Sequence, residues 1–182
     1  ETGSSDTRQI FFNKMRIPKD SMMGKPGEGF KKFLKTLVSG RVSIGALSLG
    51  TAIGAYEKAL NYSCERKSFG KTINKFQSVA FKLADMATKI ESSKHLVYNA
   101  AWLKDQGFDV TKEAAMAKLQ SSEAAMDIAT EAIQIMGANG YVREGKVERY
   151  FRDAKILEIG EGTSEIQRLS LIHISEPTRL AT

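Results

Sequence analysis

Residues Thr111–Met136, TKEAAMAKLQSSEAAMDIATEAIQIM, set Ala115, Leu119, Ser122, Met126, Ala129, Ile133 and Met136 at alternating steps of four and three. Such steps keep one stripe of a helix apolar, as in a seam buried between helices. On the N-terminal side Gly107 supplies a stop. Before it, residues 73–106 put Phe76, Val79, Leu83, Met86, Ile90, Val97 and Ala101 on one helical face. Earlier still, residues 30–63 repeat Phe33, Leu37, Val38, Ile44, Leu47, Ile53, Tyr56 and Leu60 at helix-like intervals. Gly40, Gly45, Gly50 and Gly54 interrupt that stretch, each at a cost of about 1 kcal/mol relative to alanine. Close packing of a neighbour against the backbone accounts for Gly45, Gly50 and Gly54. On the C-terminal side a shorter helix is expected over residues 147–157, and another begins near Ser164. The only prolines are Pro18, Pro26 and Pro177, so nothing between residues 26 and 177 carries the strongest helix breaker. Long helices joined by short loops predict an all-α, up-and-down four-helix bundle. Ahead of it, residues 7–17 are apolar and short enough for a strand, and residues 18–29 carry turn chemistry.

A chain of 182 residues has room for one compact domain with a sizeable core. Its hydrophobic and charged fractions, 42% and 26%, are ordinary for a globular domain. No apolar run approaches the roughly 20 residues that span a bilayer, and the start, Glu1-Thr2-Gly3-Ser4-Ser5-Asp6, lacks signal-peptide character. The net charge of +6 suits an anionic partner. The cations are scattered among acids along helices, which points to a solvated surface rather than to nucleic acid. Cys64 stands alone, with only His95 and His173 beside it, which argues against a Cys/His metal site.

Three stretches break the periodicity. Arg66-Lys67-Ser68-Phe69-Gly70, followed by Gln77, taken alone is a helix C-cap with cations favoured by the dipole. Gln134-Ile135-Met136-Gly137-Ala138-Asn139-Gly140 is a tight turn whose exposed N–H groups suit a pyrophosphate or simply end a helix. Ile159-Gly160-Glu161-Gly162-Thr163-Ser164-Glu165-Ile166-Gln167-Arg168 has capping-box spacing between Ser164 and Gln167. The cap leaves Glu161 unexplained: a carboxylate between two glycines, just before a helix, can approach a ligand with little hindrance.

In this order on a helical bundle, the motifs closely resemble the C-terminal half of the acyl-CoA dehydrogenase family, over residues 5–169. The resemblance includes Ser5-Asp6-Thr7, Arg16-Ile17-Pro18, Gly27-Glu28-Gly29-Phe30 and Gly40-Arg41. Its most specific part runs from Arg152-Asp153-Ala154-Lys155 to Glu161-Gly162-Thr163-Ser164-Glu165-Ile166-Gln167-Arg168.

The resemblance implies α,β-dehydrogenation of an acyl-CoA thioester to trans-2-enoyl-CoA, with FAD as cofactor and an electron-transfer flavoprotein as acceptor. By its place, Glu161 resembles the base that removes the α-proton. Some relatives carry that base at the position of Gly40, which has no side chain to serve. Arg41 and Gly162 match substrate contacts, although Val38 replaces the acid or amide that accompanies the arginine. Arg66, Ser68 and Gln77, with Gln134, Gly137 and Ala138, match residues holding the FAD of a neighbouring subunit. Thr163 and Glu165 match contacts to the flavin of their own subunit. The intact enzyme is therefore expected to be a homodimer or homotetramer, cytoplasmic if bacterial and in the mitochondrial matrix if eukaryotic.

The expected organisation is a remnant of a β-barrel domain with a linker over 1–25, the helical domain over 26–169, and a non-native tail over 170–182. In that tail Ser170-Leu171-Ile172-His173-Ile174-Ser175-Glu176-Pro177 resembles translated adapter sequence. Without the preceding domains, the segment is expected to bind FAD poorly and to be inactive by itself. Two other functions fit parts of the pattern: an oxygen-using relative such as an acyl-CoA oxidase, and a non-catalytic helical interaction module.

Overall fold

The computed structural model describes residues 8–175. Its elements are α1 (Gly29–Glu65), a two-stranded hairpin of β1 (Lys67–Ser68) and β2 (Lys71–Thr72), α2 (Gln77–Asp105), α3 (Thr111–Met136), α4 (Ala138–Tyr141), α5 (Glu148–Ile159) and α6 (Ser164–Ser175). The expected bundle is present, and α3 is its centre. Ala114, Ala115, Ala117, Ala124, Ala125, Ile128, Ala129 and Ala132 are all buried, on more faces than a single seam provides. Alanine combines the best helix propensity with the least bulk, so helices can close on α3 from several sides. Leu119, Met126 and Ile133, which the seam assigns to the interior, are half-buried.

Cross-links between helices set the directions. Lys82 pairs with Glu131, and Lys89 Nζ lies 2.7 Å from Asp127 Oδ2, so α2 runs antiparallel to α3. Asn139, just beyond α3, donates from Nδ2 to the Tyr62 hydroxyl near the end of α1 at 2.9 Å. Helices α1 and α3 therefore run parallel, each reversed by α2. Helix α5 returns beside them, with Tyr150 against Gly54 and the Glu158 carbonyl against Lys118. Helix α6 crosses the first half of α3, where Arg168 meets Glu123 at 2.7 Å.

Close packing accounts for two of the three glycines assigned to it. A Cβ on Gly45 would lie 3.4 Å from the Ala117 backbone, and one on Gly54 2.9 Å from the Tyr150 hydroxyl. Nothing lies within 4 Å of one on Gly50. By length and mean hydropathy, 1.3 over its most apolar window, α1 is long and apolar enough to cross a membrane, contrary to the expectation that no stretch is. Here the helix instead seats Ala52, Ala55 and Ala59 in the bundle core.

Residues 8–17 form no strand; Ile10, Phe11 and Phe12 are exposed. A strand requires a ladder partner, and the strands among the described residues are β1 and β2, which pair with each other. The lead-in motif over residues 5–7 lies outside the described residues, as do residues 176–182. Helix α6 continues past residue 169 to Ser175.

Candidate functional site

Glu161 sits in the connection between α5 and α6, where the chain reverses within four residues. Glu161 has φ +56° and Gly162 φ +95°, two left-handed residues in succession. The first carries a Cβ penalty that glycine escapes. Gly162 is needed for a second reason: a Cβ there would lie 2.9 Å from Gln167 Nε2.

Two wholly buried side chains hold this turn. Gln167 donates from Nε2 to the carbonyls of Glu161 and Gly162, at 3.2 and 3.0 Å. Lys118, fully buried on α3, donates from Nζ to the carbonyls of Glu158 and Gly162, at 3.0 and 2.8 Å. Burial pushes the Lys118 ammonium below its ordinary pKa, while the Glu158 carboxylate pulls it back up. The helix that follows is capped differently from the sequence expectation. Ser164 is already the first residue of α6, and its hydroxyl is buried without a partner. The cap is Thr163, whose Oγ1 accepts from the Ile166 N–H at 3.4 Å. Gln167 faces the preceding turn instead of completing a capping box. Glu165 is exposed, and its pKa is lowered by its own backbone N–H and by the Thr163 hydroxyl.

The Glu161 side chain is half-buried and points at α1. A Cβ built on Gly40 would lie 2.4 Å from Glu161 Oε2 and 2.7 Å from its Cδ. The carboxylate thus occupies the volume that any side chain at position 40 would take. Arg41, the next residue, feels that carboxylate: burial lowers its pKa and the charge of Glu161 raises it. Arg41 Nε is buried without a hydrogen-bond partner. Glu161, Gly40, Arg41, Gly162, Lys118 and Gln167 therefore form one constellation beside the N-terminal halves of α1 and α3.

The two expected flavin loops lie at the other end. Arg66 caps α1, its N–H donating to the Tyr62 carbonyl at 2.9 Å. The residues after it form a hairpin rather than a plain cap. Ser68 pairs with Lys71 across Phe69 and Gly70, both with positive φ, +47° and +79°, as a two-residue turn with the right twist demands. Gln77 opens α2. Gln134, Gly137 and Ala138, at the end of α3, are exposed, and the Asn139–Tyr62 bond brings this turn beside the end of α1. A cleft of about 630 Å³ adjoins it, lined by Gln134, Tyr141, Arg143 and Arg152 among others. Arg143 and Arg152 give the cleft two guanidiniums, offset by the Glu148 carboxylate, on walls that include Ile133 and Phe151. Along α1, the 26 residues from Gly40 to Arg66 span roughly 39 Å at 1.5 Å each.

The family model for acyl-CoA dehydrogenase, C-terminal domain, matches residues 27–174. This chain belongs to the acyl-CoA dehydrogenase family. Among acyl-CoA dehydrogenases it is 52% identical, over 165 residues, to "Probable acyl-CoA dehydrogenase YngJ" of Bacillus subtilis, covering 91% of this chain and 43% of the relative. It is also 52% identical, over 165 residues, to the mitochondrial short-chain specific acyl-CoA dehydrogenase of Homo sapiens, covering 91% and 40%. A chain in a structure of the electron transferring flavoprotein of Acidaminococcus fermentans superposes with a TM-score of 0.90 at 45% identity, over 91% of this chain and 44% of that one. The chain thus spans about two fifths of the length of these acyl-CoA dehydrogenase relatives.

Lys118 and the amide of Gln167 are the residues that sequence reasoning missed as parts of this constellation. A lone lysine within an Ala/Ser-rich helical seam was the available signal for the first. Arg143 and Arg152 on the cleft were likewise not singled out.

Proposed function

We propose that this chain is the C-terminal helical domain of a flavin-dependent acyl-CoA dehydrogenase, with Glu161 as the base that removes the α-proton of the thioester. The observation that carries the reading is the carboxylate held over Gly40 by a strained, doubly pinned turn. A catalytic base has to be preset, and this turn presets it. The α-proton passes to the Glu161 carboxylate and its C–H electron pair becomes the new Cα=Cβ bond. FAD, when bound, supplies the acceptor for the β-hydride.

The remaining residues bind and orient. Arg41 sets a cation beside the carboxylate and is assigned to the substrate. The backbone of Gly162 adjoins the same volume. Thr163 and Glu165, at the start of α6, are assigned to the flavin of the same subunit. Arg66, Ser68, Gln77, Gln134, Gly137 and Ala138 are assigned to that of a neighbour. A separation of roughly 39 Å from Gly40 to Arg66 supports that division, since one flavin beside Glu161 is out of reach of Arg66 in the same chain. The intact protein is accordingly a homodimer or a dimer of dimers. The short-chain name of the human relative supports a short acyl-CoA substrate. The Acidaminococcus match supports an electron-transfer flavoprotein as acceptor. Residues 26–169 are assigned to the helical domain, 1–25 to a barrel remnant with linker, and 170–182 to a non-native tail.

The test is Glu161→Gln in the intact protein that carries this chain. Flavin content is expected to be unchanged. Dehydrogenation is expected to fall about 10²- to 10⁴-fold, the range of a positioned general base. Activity within a few-fold of wild type ends the assignment.

A further inference from the structure

We propose that Lys118 is a positioning residue for Glu161: its buried ammonium ties the last turn of α5 and the Gly162 carbonyl to α3, and so keeps the carboxylate over Gly40. The inference deepens the reading of Glu161 as base and rests on it. Lys118 has no exposed surface, and an ammonium is among the most strongly hydrated groups a protein can bury. A position that served packing alone would be filled better by an apolar side chain of the same length. What the ammonium adds is donors. Both identified acceptors, the carbonyls of Glu158 and Gly162, bracket the connection that carries Glu161.

The Gly162 carbonyl takes a second hydrogen bond, from Gln167 Nε2. The turn is thus gripped by α3 and by α6. Without the grip from α3, nothing described on that helix opposes relaxation of Glu161 out of its left-handed conformation. Relaxation of φ at a residue with a Cβ swings the whole side chain, and here the side chain is the proposed base. Both Lys118 hydrogen bonds described end on backbone carbonyls, so its action runs through the backbone.

The experiment uses the intact protein carrying this chain and compares Lys118→Met, which keeps length but loses the donors, with Lys118→Arg, which keeps donors, and with Glu161→Gln. The Met variant is expected to keep its flavin and a KM within about threefold, while kcat falls on the order of 10²-fold, the effect of a misplacement of about 1 Å. The Arg variant is expected to recover about tenfold of that loss. In D2O, amides of residues 161–167 in the Met variant should exchange about tenfold faster or more, with those of α2 unchanged. Combining Lys118→Met with Glu161→Gln should cost no more than Glu161→Gln alone, because the two act through one group. If the Met protein does not fold, Lys118→Gln, neutral but still a donor, replaces it with the same readouts. Wild-type exchange over 161–167, or losses that multiply in the double variant, overturns the role of Lys118. Activity surviving in Glu161→Gln overturns the base assignment instead, and the exchange measurement still decides whether Lys118 holds the turn.

Discussion

Gly40→Ala separates folding from chemistry in a single methyl group. Gly40 lies in the interior of a long helix, where alanine is favoured by roughly 0.5–1 kcal/mol. The three atoms nearest that methyl group all belong to the Glu161 carboxyl, with Oε2 at 2.4 Å and Cδ at 2.7 Å. That carboxyl is the far end of a flexible side chain, so it can retreat without moving backbone. Ordinary contact begins near 3.4 Å, so the retreat is about 1.0 Å (3.4 minus 2.4). The substituted protein is therefore expected to be as stable as wild type or up to about 1 kcal/mol more stable, raising Tm by about 2–4 °C. A displacement of about 1 Å at a reacting group costs on the order of 10²-fold in rate. The assay pairs thermal unfolding with kcat on a short-chain acyl-CoA in the intact protein, flavin content being checked by absorbance. Loss of activity with loss of stability would mean that the methyl group disturbs the bundle. Unchanged activity would mean that the carboxylate does not work from the volume over Gly40. Either result refutes the argument.

Gly145→Ala is expected to behave in the opposite way. A Cβ there would lie 1.7 Å from the Asn139 carbonyl oxygen, a backbone atom that cannot step aside. A cost of about 1–3 kcal/mol follows, read as a fall of roughly 2–4 °C in Tm per kcal/mol. Glu165→Gln tests the start of α6. The Glu165 pKa is held below its ordinary 4.5 by its own backbone N–H and the Thr163 hydroxyl. Its stabilising contribution is therefore present above pH 4.5 and is lost as pH falls through the lowered folded-state value. Melting curves across that acid range should be flatter for the Gln variant, and identical acid limbs would show that the contact is absent in solution.

The bundle was legible because helices announce themselves locally. Thr111–Met136 ends where its apolar period ends, and the expected span and the observed α3 coincide. The same reading assigned α3 one narrow buried stripe, whereas buried alanines cover about half of its circumference. Period records which side chains could face a neighbour, and the number of neighbours is settled only by assembly. The expected strand over residues 7–17 shows the reverse limit. Strand composition was present, but strand formation is a property of a pair of segments, and residues 8–17 form no strand. Ser164 and Gln167 had the spacing of a capping box, yet Thr163 took the cap because the left-handed pair before it turns the chain one residue earlier.

The sequence alone singled out Glu161 between glycines, and the family resemblance drew attention to Gly40, 121 positions away (161 minus 40), as a place with no side chain to serve as base. Tertiary structure alone brought them into one volume, and only there did Lys118 and Gln167 emerge as the hold on the turn. A side chain's chemistry is carried by its own residue type. Its position is set by donors and backbone contacts arriving from helices far away in the chain, and no local pattern encodes those.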